Sequence, residues 1–210
     1  MILLPLFLAY LVGSIPNAVW IGRVFFNVDV RKEGSRNAGA TNTFRVLGWK
    51  PGVCVLVLDL LKGIVPLALF KILPDSWVFA NSEITDSSIW LEIAIAITTV
   101  IGHVFPIYVG FRGGKGVATL VGVLIMLYPQ VFLIVLGVFV IVFLIFRYIS
   151  LSSMCAAISL PLLQFAFFQT DKLLLLIFAI FIAIFIPLTH VKNIKRLLQH
   201  EEPNFKFKTN

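Results

Sequence analysis

GFRGGKGVATLVG, residues Gly110 to Gly122, opens with four glycines, an arginine and a lysine within seven positions. Glycine lets backbone N–H groups approach an anion closely, and a neighbouring cation neutralises it, so the pattern suits phosphate. A Walker A loop would need Gly where Val109 stands and Ser or Thr where Gly116 stands, so the motif is a different one. It reads as a nest of N–H groups opening the N-terminus of the apolar run that follows, with Lys115 as a point charge. A glycine-rich turn between helices is the plainer alternative.

Five further patches set polar groups against an apolar background. RKEGSRNAGATNTFRVLG, Arg31 to Gly48, places Ser35, Asn37, Thr41 and Asn42 among arginines that include Arg36 and Arg45. Hydroxyls, amides and guanidinium groups all donate to phosphate oxygens, although a loop resting on lipid headgroups would use the same residues. In DLLKG, Asp59 and Lys62 stand three apart on one helix face and can pair. Charges inside an apolar run point either to function or to a structural ion pair. GHVFP, Gly102 to Pro106, puts His103 at a helix end, where a histidine ordinarily serves as a structural hydrogen-bonding group. RYISLSS, Arg147 to Ser153, supplies a cation with hydroxyls, Ser150 among them. HVKNIKRLLQHEE, His190 to Glu202, sets His190 and Asn193 on one helical face, an arrangement an interfacial amphipathic tail would share.

Neither His103 nor His190 is followed by Asp at the fifth position, where Tyr108 and Lys195 stand. There is no HExxH, no paired Cys/His ligand set and no Ser on a GxSxG elbow, so the reading calls for no metal and no cofactor. Cys54 and Cys155 both fall in apolar runs and read as packed small side chains. The patches suit a substrate that joins phosphate to an acyl chain.

The elements that must hold these patches are membrane helices. Of 210 residues, 60% are hydrophobic and 13% charged, and the mean hydropathy is +1.01; soluble domains average about 45–50% apolar and about 25% charged. The fold class is all-α, a polytopic integral membrane bundle forming one domain over residues 1–210. A bilayer core of about 30 Å needs roughly 20 apolar residues per helix. Candidate spans are Ile2–Ile21, Val53–Ile72, Ile89–Tyr108, Val117–Leu127, Val131–Phe146, Ser153–Phe168 and Leu173–Leu188, about seven in all. Tyr128-Pro129-Gln130 reads as a tight turn, with Pro129 starting a new helix. MILLPLFLAYLVGSIP has no basic leader or cleavage site and reads as a retained first span.

The net charge of +7 is a membrane signature here and not a nucleic-acid footprint, because Lys and Arg collect on the cytoplasmic side. Fourteen basic residues fall in one set of loops and termini, from Arg23 through Lys50, at Arg112, Lys115 and Arg147, and from Lys192 to Lys208. The alternate loops hold only Lys71 and Lys172, beside Asp75, Glu83, Asp86 and Asp171. That places the N-terminus outside and the C-terminus in the cytoplasm, which an odd number of spans satisfies.

In this order the patches resemble the bacterial acyl-phosphate:glycerol-3-phosphate acyltransferases, the PlsY family. The resemblance rests on GSIP at Gly13–Pro16, the run Gly34–Gly48, D-x-x-KG at Asp59–Gly63, GH-x-FP at Gly102–Pro106, GGKGVAT at Gly113–Thr119, Arg147–Ser153 and His190–Leu198. It implies transfer of a fatty acyl group from acyl phosphate to the 1-hydroxyl of glycerol 3-phosphate, giving lysophosphatidic acid and phosphate, the first step of phospholipid synthesis. It further implies an inner-membrane enzyme with a cytoplasmic site. Ser35 and Arg45 become the essential pair of the first motif, and the loop with Gly113, Gly114, Lys115 and Gly116 receives glycerol 3-phosphate. His190 and Asn193 serve activity, Asn37, Thr41, Asn42, Lys62, Arg112 and Ser150 line the substrates, and Asp59, His103 and Glu202 are structural. Gly, Lys and Gly are commoner in the family where this chain has Arg36, Arg112 and His200.

The expected chemistry is direct attack without an acyl-enzyme, the proton passing to His190 or to the donor phosphate. A transporter for a phosphorylated solute is the alternative from another class, and it would hold its site near the bilayer midplane between broken spans. Acyl-chain preference and oligomeric state stay open in the sequence.

Overall fold

The computed structural model describes residues 3–72, 87–168 and 173–205, and these form helices and loops with no strand among them. They fall into two compact units, the described residues up to Leu127 and those from Tyr128 onward. In the first, α1 (Leu3–Gly13) and α2 (Asn17–Phe26) are separated by a break at Pro16, which lacks an N–H and disfavours helical backbone in the residue before it. The two continue as one span of 24 residues, Leu3–Phe26, closed by Asn27 in the left-handed region with φ 53°. Next come α3 (Ala40–Leu47), α4 (Trp49–Ile72), α5 (Ser87–Val104), a 3-10 turn at Ile107–Val109, and α6 (Val117–Leu127). The sequence treats α3 as part of a polar loop. Its eight residues lie between an extended Gly39 and Gly48 at φ +97°, and those glycines read as loop.

Glycines let the helices of this unit touch backbone to backbone, as small residues do in membranes. A Cβ on Gly63 would collide with the Thr119 carbonyl oxygen, and one on Gly122 with that of Leu60. Gly13 and Gly102 meet the Thr99 and Tyr10 carbonyls in the same way, seating α1 on α5. At the far end of α4, Lys71 Nζ lies 3.3 Å from the Met126 carbonyl and 3.6 Å from Glu92. So α6 runs parallel to α4 and α5 antiparallel. With Gly122 beside Gly63, α6 begins roughly 14 Å along α4 from Trp49, at 1.5 Å per residue, and ends level with Lys71.

Among the described residues, five helices are long and apolar enough to cross a bilayer, or six if the bent pair Leu173–Thr189 and Val191–Leu198 is one span. The 11 residues of α6 extend only about 16 Å, and with α6 these helices follow the seven candidate spans in order along the chain. The chain covers part of the length of α4 as a loop and the rest as α6.

The second unit contains α7 (Pro129–Phe146), α8 (Ile149–Phe168), α9 (Leu173–Thr189) and α10 (Val191–Leu198), the last bent by 60° from α9. Pro129 starts α7 behind Tyr128, as its missing N–H allows. Tyr128, Phe178, Phe181 and Phe185 form a run of stacked rings, and the Tyr128 hydroxyl donates to the Leu175 carbonyl at 2.6 Å. Exposed Leu133, Ile141, Leu144 and Ile145 on α7 suit acyl chains as solvent. Asp75, Glu83, Asp86, Asp171, Lys172, Lys206 and Lys208 lie outside the described residues.

Candidate active site

In the first unit, the segment between α2 and α3 is folded by two side chains. Asp29 receives Nε and NH2 of Arg31 at 3.1 and 2.9 Å, the Arg31 N–H at 3.0 Å and Arg23 NH2 at 2.8 Å. The Arg31 guanidinium, above all, holds the Asp29 carboxyl well below the usual carboxylate range. Arg31 also donates from NH1 to the Val109 carbonyl at 2.8 Å, tying this segment to the turn before the glycine loop. Asn42 is fully buried. Its Oδ1 accepts the Ser35 N–H at 2.8 Å, and its Nδ2 donates to the Val30 and Glu33 carbonyls at 2.7 and 3.1 Å. Asn42 therefore holds the loop that presents Ser35, where the sequence expects it at the substrate. Ser35, Asn37, Thr41 and Arg45 are half-buried and Arg36 is exposed.

The glycine loop sits on the end of α5. Gly113 N–H donates to the Val104 carbonyl at 3.1 Å and Gly114 N–H to that of His103 at 3.2 Å. Two donors expected to face an anion are thus spent on the protein. The anion-ready place is the start of α6, where Gly116 turns the chain at φ +82°. The Val117–Thr119 N–H groups there precede the first return bond, from Leu120 N–H to the Gly116 carbonyl at 2.8 Å. Lys115 is half-buried beside them, Arg112 exposed and Gly116 buried.

Both glycines are demanded by packing. A Cβ on Gly113 would meet the His103 carbonyl, with Pro106 Cδ at 2.6 Å. On Gly114 it would meet His103 Nε2, with the Ala38 carbonyl oxygen at 3.1 Å. The two phosphate-suited segments therefore converge on one point, between the His103 ring and Ala38.

Beneath that point lies a buried polar cluster. Lys62 Nζ is 2.8 Å from Asp59 Oδ1, which also accepts Asn17 Nδ2 at 2.9 Å. His103 Nδ1 lies 3.4 Å from Lys62 Nζ and 3.8 Å from Asp59 Oδ1. Relative exposures are 1% for Asp59, 5% for Lys62 and 6% for His103. The sequence expects Lys62 at the substrate, but its ammonium is engaged inside the protein. Asn17, Asp29 and Arg31 were missed as site-building residues. An amide just after the helix-restarting Pro16, and an acid flanked by Arg23 and Arg31, were the available signals.

In the second unit, Glu202 is buried and gathers Ser150 Oγ and Asn193 Nδ2 on Oε1, both at 2.7 Å, with Arg196 NH1 4.0 Å from Oε2. Ser150, expected at the substrate, is thus bonded to Glu202. His190 precedes α10 and is 2% exposed, with Nδ1 2.8 Å from the Ile186 carbonyl. A carbonyl only accepts, so Nδ1 carries the hydrogen and Nε2 is the ring's basic nitrogen.

A family model described as glycerol-3-phosphate acyltransferase matches residues 3–200. The chain is 40% identical over 200 residues to a glycerol-3-phosphate acyltransferase of Fusobacterium nucleatum, covering 95% of this chain and 96% of that protein. It is 43% identical over 207 residues to one of Listeria monocytogenes, with 99% and 98% covered. Its structure is similar to crystal structures of PlsY (YgiH), an integral membrane glycerol 3-phosphate acyltransferase. The glycerol 3-phosphate form gives a TM-score of 0.83 at 38% identity, covering 98% of this chain and 96% of that one. The lysophosphatidic acid form gives 0.79 at 37%, covering 98% and 95%.

Proposed function

From the premise that the chain belongs to the PlsY family of glycerol-3-phosphate acyltransferases, we propose that it takes its acyl group from acyl phosphate. The 1-hydroxyl oxygen of glycerol 3-phosphate attacks the acyl carbon directly. A C–O bond forms to the acceptor, the bond from acyl carbon to phosphate oxygen breaks, and phosphate leaves with lysophosphatidic acid as the other product. The donor is an activated mixed anhydride, so no acyl-enzyme, metal ion or cofactor is needed. What remains is to bring two anions together and align them, which positioning and electrostatic stabilisation supply.

The observation that carries this reading is the convergence of the Ser35 loop and the glycine loop at His103, Gly114 and Ala38. Ser35 and Arg45, with Asn37 and Thr41, are assigned to the donor phosphate; Lys115, Arg112 and the start of α6 to glycerol 3-phosphate. Asn193 orients, and the proton goes to His190 Nε2 or to the departing phosphate. His190→Gln separates these, since a near-wild-type kcat would assign the proton to phosphate. Asn42 and Ser150 act through the protein contacts they make.

The protein is placed in the plasma membrane as one catalytic domain, with the site and C-terminus cytoplasmic and the N-terminus outside. Cysteines at Arg36 and Lys71 in a Cys54→Ala, Cys155→Ala background test that placement; labelling of both from the same side overturns it. The central assay incubates purified protein with labelled glycerol 3-phosphate and either acyl phosphate or acyl-CoA. Labelled lysophosphatidic acid is expected from acyl phosphate, with acyl-CoA a poor donor. Equal use of acyl-CoA, a trapped acyl-enzyme, or loss of turnover in the cysteine-free protein would each sink the mechanism.

A further inference from the structure

Asp59, Lys62 and Asn17 are buried, and the acyl transfer above leaves them without a part. A charged pair in an apolar span carries a desolvation cost that an aliphatic pair would avoid. Its geometry shows what it acts on. Lys62's ammonium has hydrogens and no lone pair, so its contact with His103 at 3.4 Å makes Nδ1 the acceptor and leaves the ring proton on Nε2. Nε2 is the atom against which Gly114 is packed. The backbone of the same histidine accepts the Gly114 N–H, and its neighbour Val104 accepts that of Gly113. Ring and main chain of His103 together form the seat of the glycine loop. Lys62 sets the tilt of the ring, Asp59 holds Lys62, and Asn17 holds Asp59 at 2.9 Å from α2.

We propose that Asn17, Asp59 and Lys62 are positioning residues for the acceptor site: through His103 they fix where the Gly113–Gly114 loop, and hence Lys115 and the start of α6, meets glycerol 3-phosphate. Lys62 is then a support for the loop and not a ligand of the substrate. This rests on the assignment of that loop to glycerol 3-phosphate. The backbone hydrogen bonds of the glycine loop go to His103 and Val104, while the Ser35 loop is held by Asn42 and Arg31, so the acceptor is the substrate that responds.

The test compares Lys62→Met with the double variant Asp59→Asn, Lys62→Met. The single variant leaves Asp59 buried without its cation and lowers the melting temperature in detergent. The double variant removes both charges, restoring stability while still depriving His103 Nδ1 of its donor. Positioning requires that the folded double variant keep a raised glycerol 3-phosphate KM and calorimetric Kd, by roughly 10-fold or more as misplacement of a binding group does, with the acyl phosphate KM unchanged. Recovery of melting temperature and glycerol 3-phosphate affinity together would make the cluster merely structural and overturn the proposal. So would an equal rise in both KM values. Wild-type protein is titrated alongside. Failure of wild type to bind glycerol 3-phosphate overturns the acceptor-loop assignment itself, a result distinct from a wild-type affinity in the double variant.

Discussion

Replacing Gly114 by alanine adds one methyl group at the point where the two loops converge, and the structure sets its cost. The methyl would overlap His103 Nε2 and stand 3.1 Å from both His103 Cε1 and the Ala38 carbonyl oxygen. Relief by swinging the ring is opposed, because His103 is 6% exposed and its Nδ1 faces Lys62. Overpacking of this kind costs about 1–3 kcal/mol. Gly114 carries no left-handed backbone requirement, so the effect is steric and free of dihedral strain. If the loop relieves the strain by moving off His103, the whole cost opposes acceptor binding, a factor of roughly 5–150 in Kd. The assay is calorimetric titration with glycerol 3-phosphate, with KM for both substrates and a melting curve on the same preparation. Gly137→Ala serves as control, since an added Cβ there meets nothing within 4 Å. A wild-type Kd in folded Gly114→Ala protein would refute the reasoning, whether or not its melting temperature fell, because the strain would then have gone elsewhere.

Arg36→Gly and His200→Gly are each expected to stabilise the protein by about 1 kcal/mol, read from thermal unfolding in detergent. Both residues lie at positive φ, 60° and 57°, where an L side chain is disfavoured and glycine is not. Glu202→Ala should cost about 3 kcal/mol or more by denaturant titration, since it leaves the buried Ser150 and Asn193 donors without the carboxylate that gathers them. For Asp29, whose folded-state pKa is depressed by Arg31 first and Arg23 as well, the stabilisation is present above the unfolded carboxylate value of about 3.9 and is lost as pH falls through the folded one. Asp29→Asn should therefore be less stable than wild type at pH 7, with the gap closing as pH falls below about 4; a constant gap from pH 7 down to acid would show that the carboxylate's charge is not what matters.

Hydropathy made the helices legible, and Pro129 marked the start of α7, because both signals are local. At α6 hydropathy gives the segment's character but not its starting depth, which depends on Gly63 meeting Gly122 across 59 positions of chain. The residue types of the site were readable as phosphate chemistry. Their division of labour was not. Asn42 and Lys62 have the right groups for a substrate, yet Asn42 is occupied by carbonyls that its own loop brings back to it, Val30 and Glu33, and Lys62 faces His103 from another helix. Arg36 and His200, where the family more often has Gly, both lie at positive φ, so these departures bear on backbone conformation as well as on side-chain type.

Because the glycine loop opens α6 part-way along α4, the two proposed substrates reach the enzyme in different measures of concentration. Glycerol 3-phosphate arrives from water and counts in moles per litre. The acyl donor and lysophosphatidic acid partition into the lipid or detergent phase and count as mole fractions of it. Adding inert detergent at constant total donor should then slow turnover by surface dilution, while the acceptor's saturation curve keeps its midpoint. Rates measured at different lipid-to-protein ratios are comparable only when donor is expressed per mole of amphiphile. The membrane is thus part of the rate law, and its composition sets how fast this chain can work.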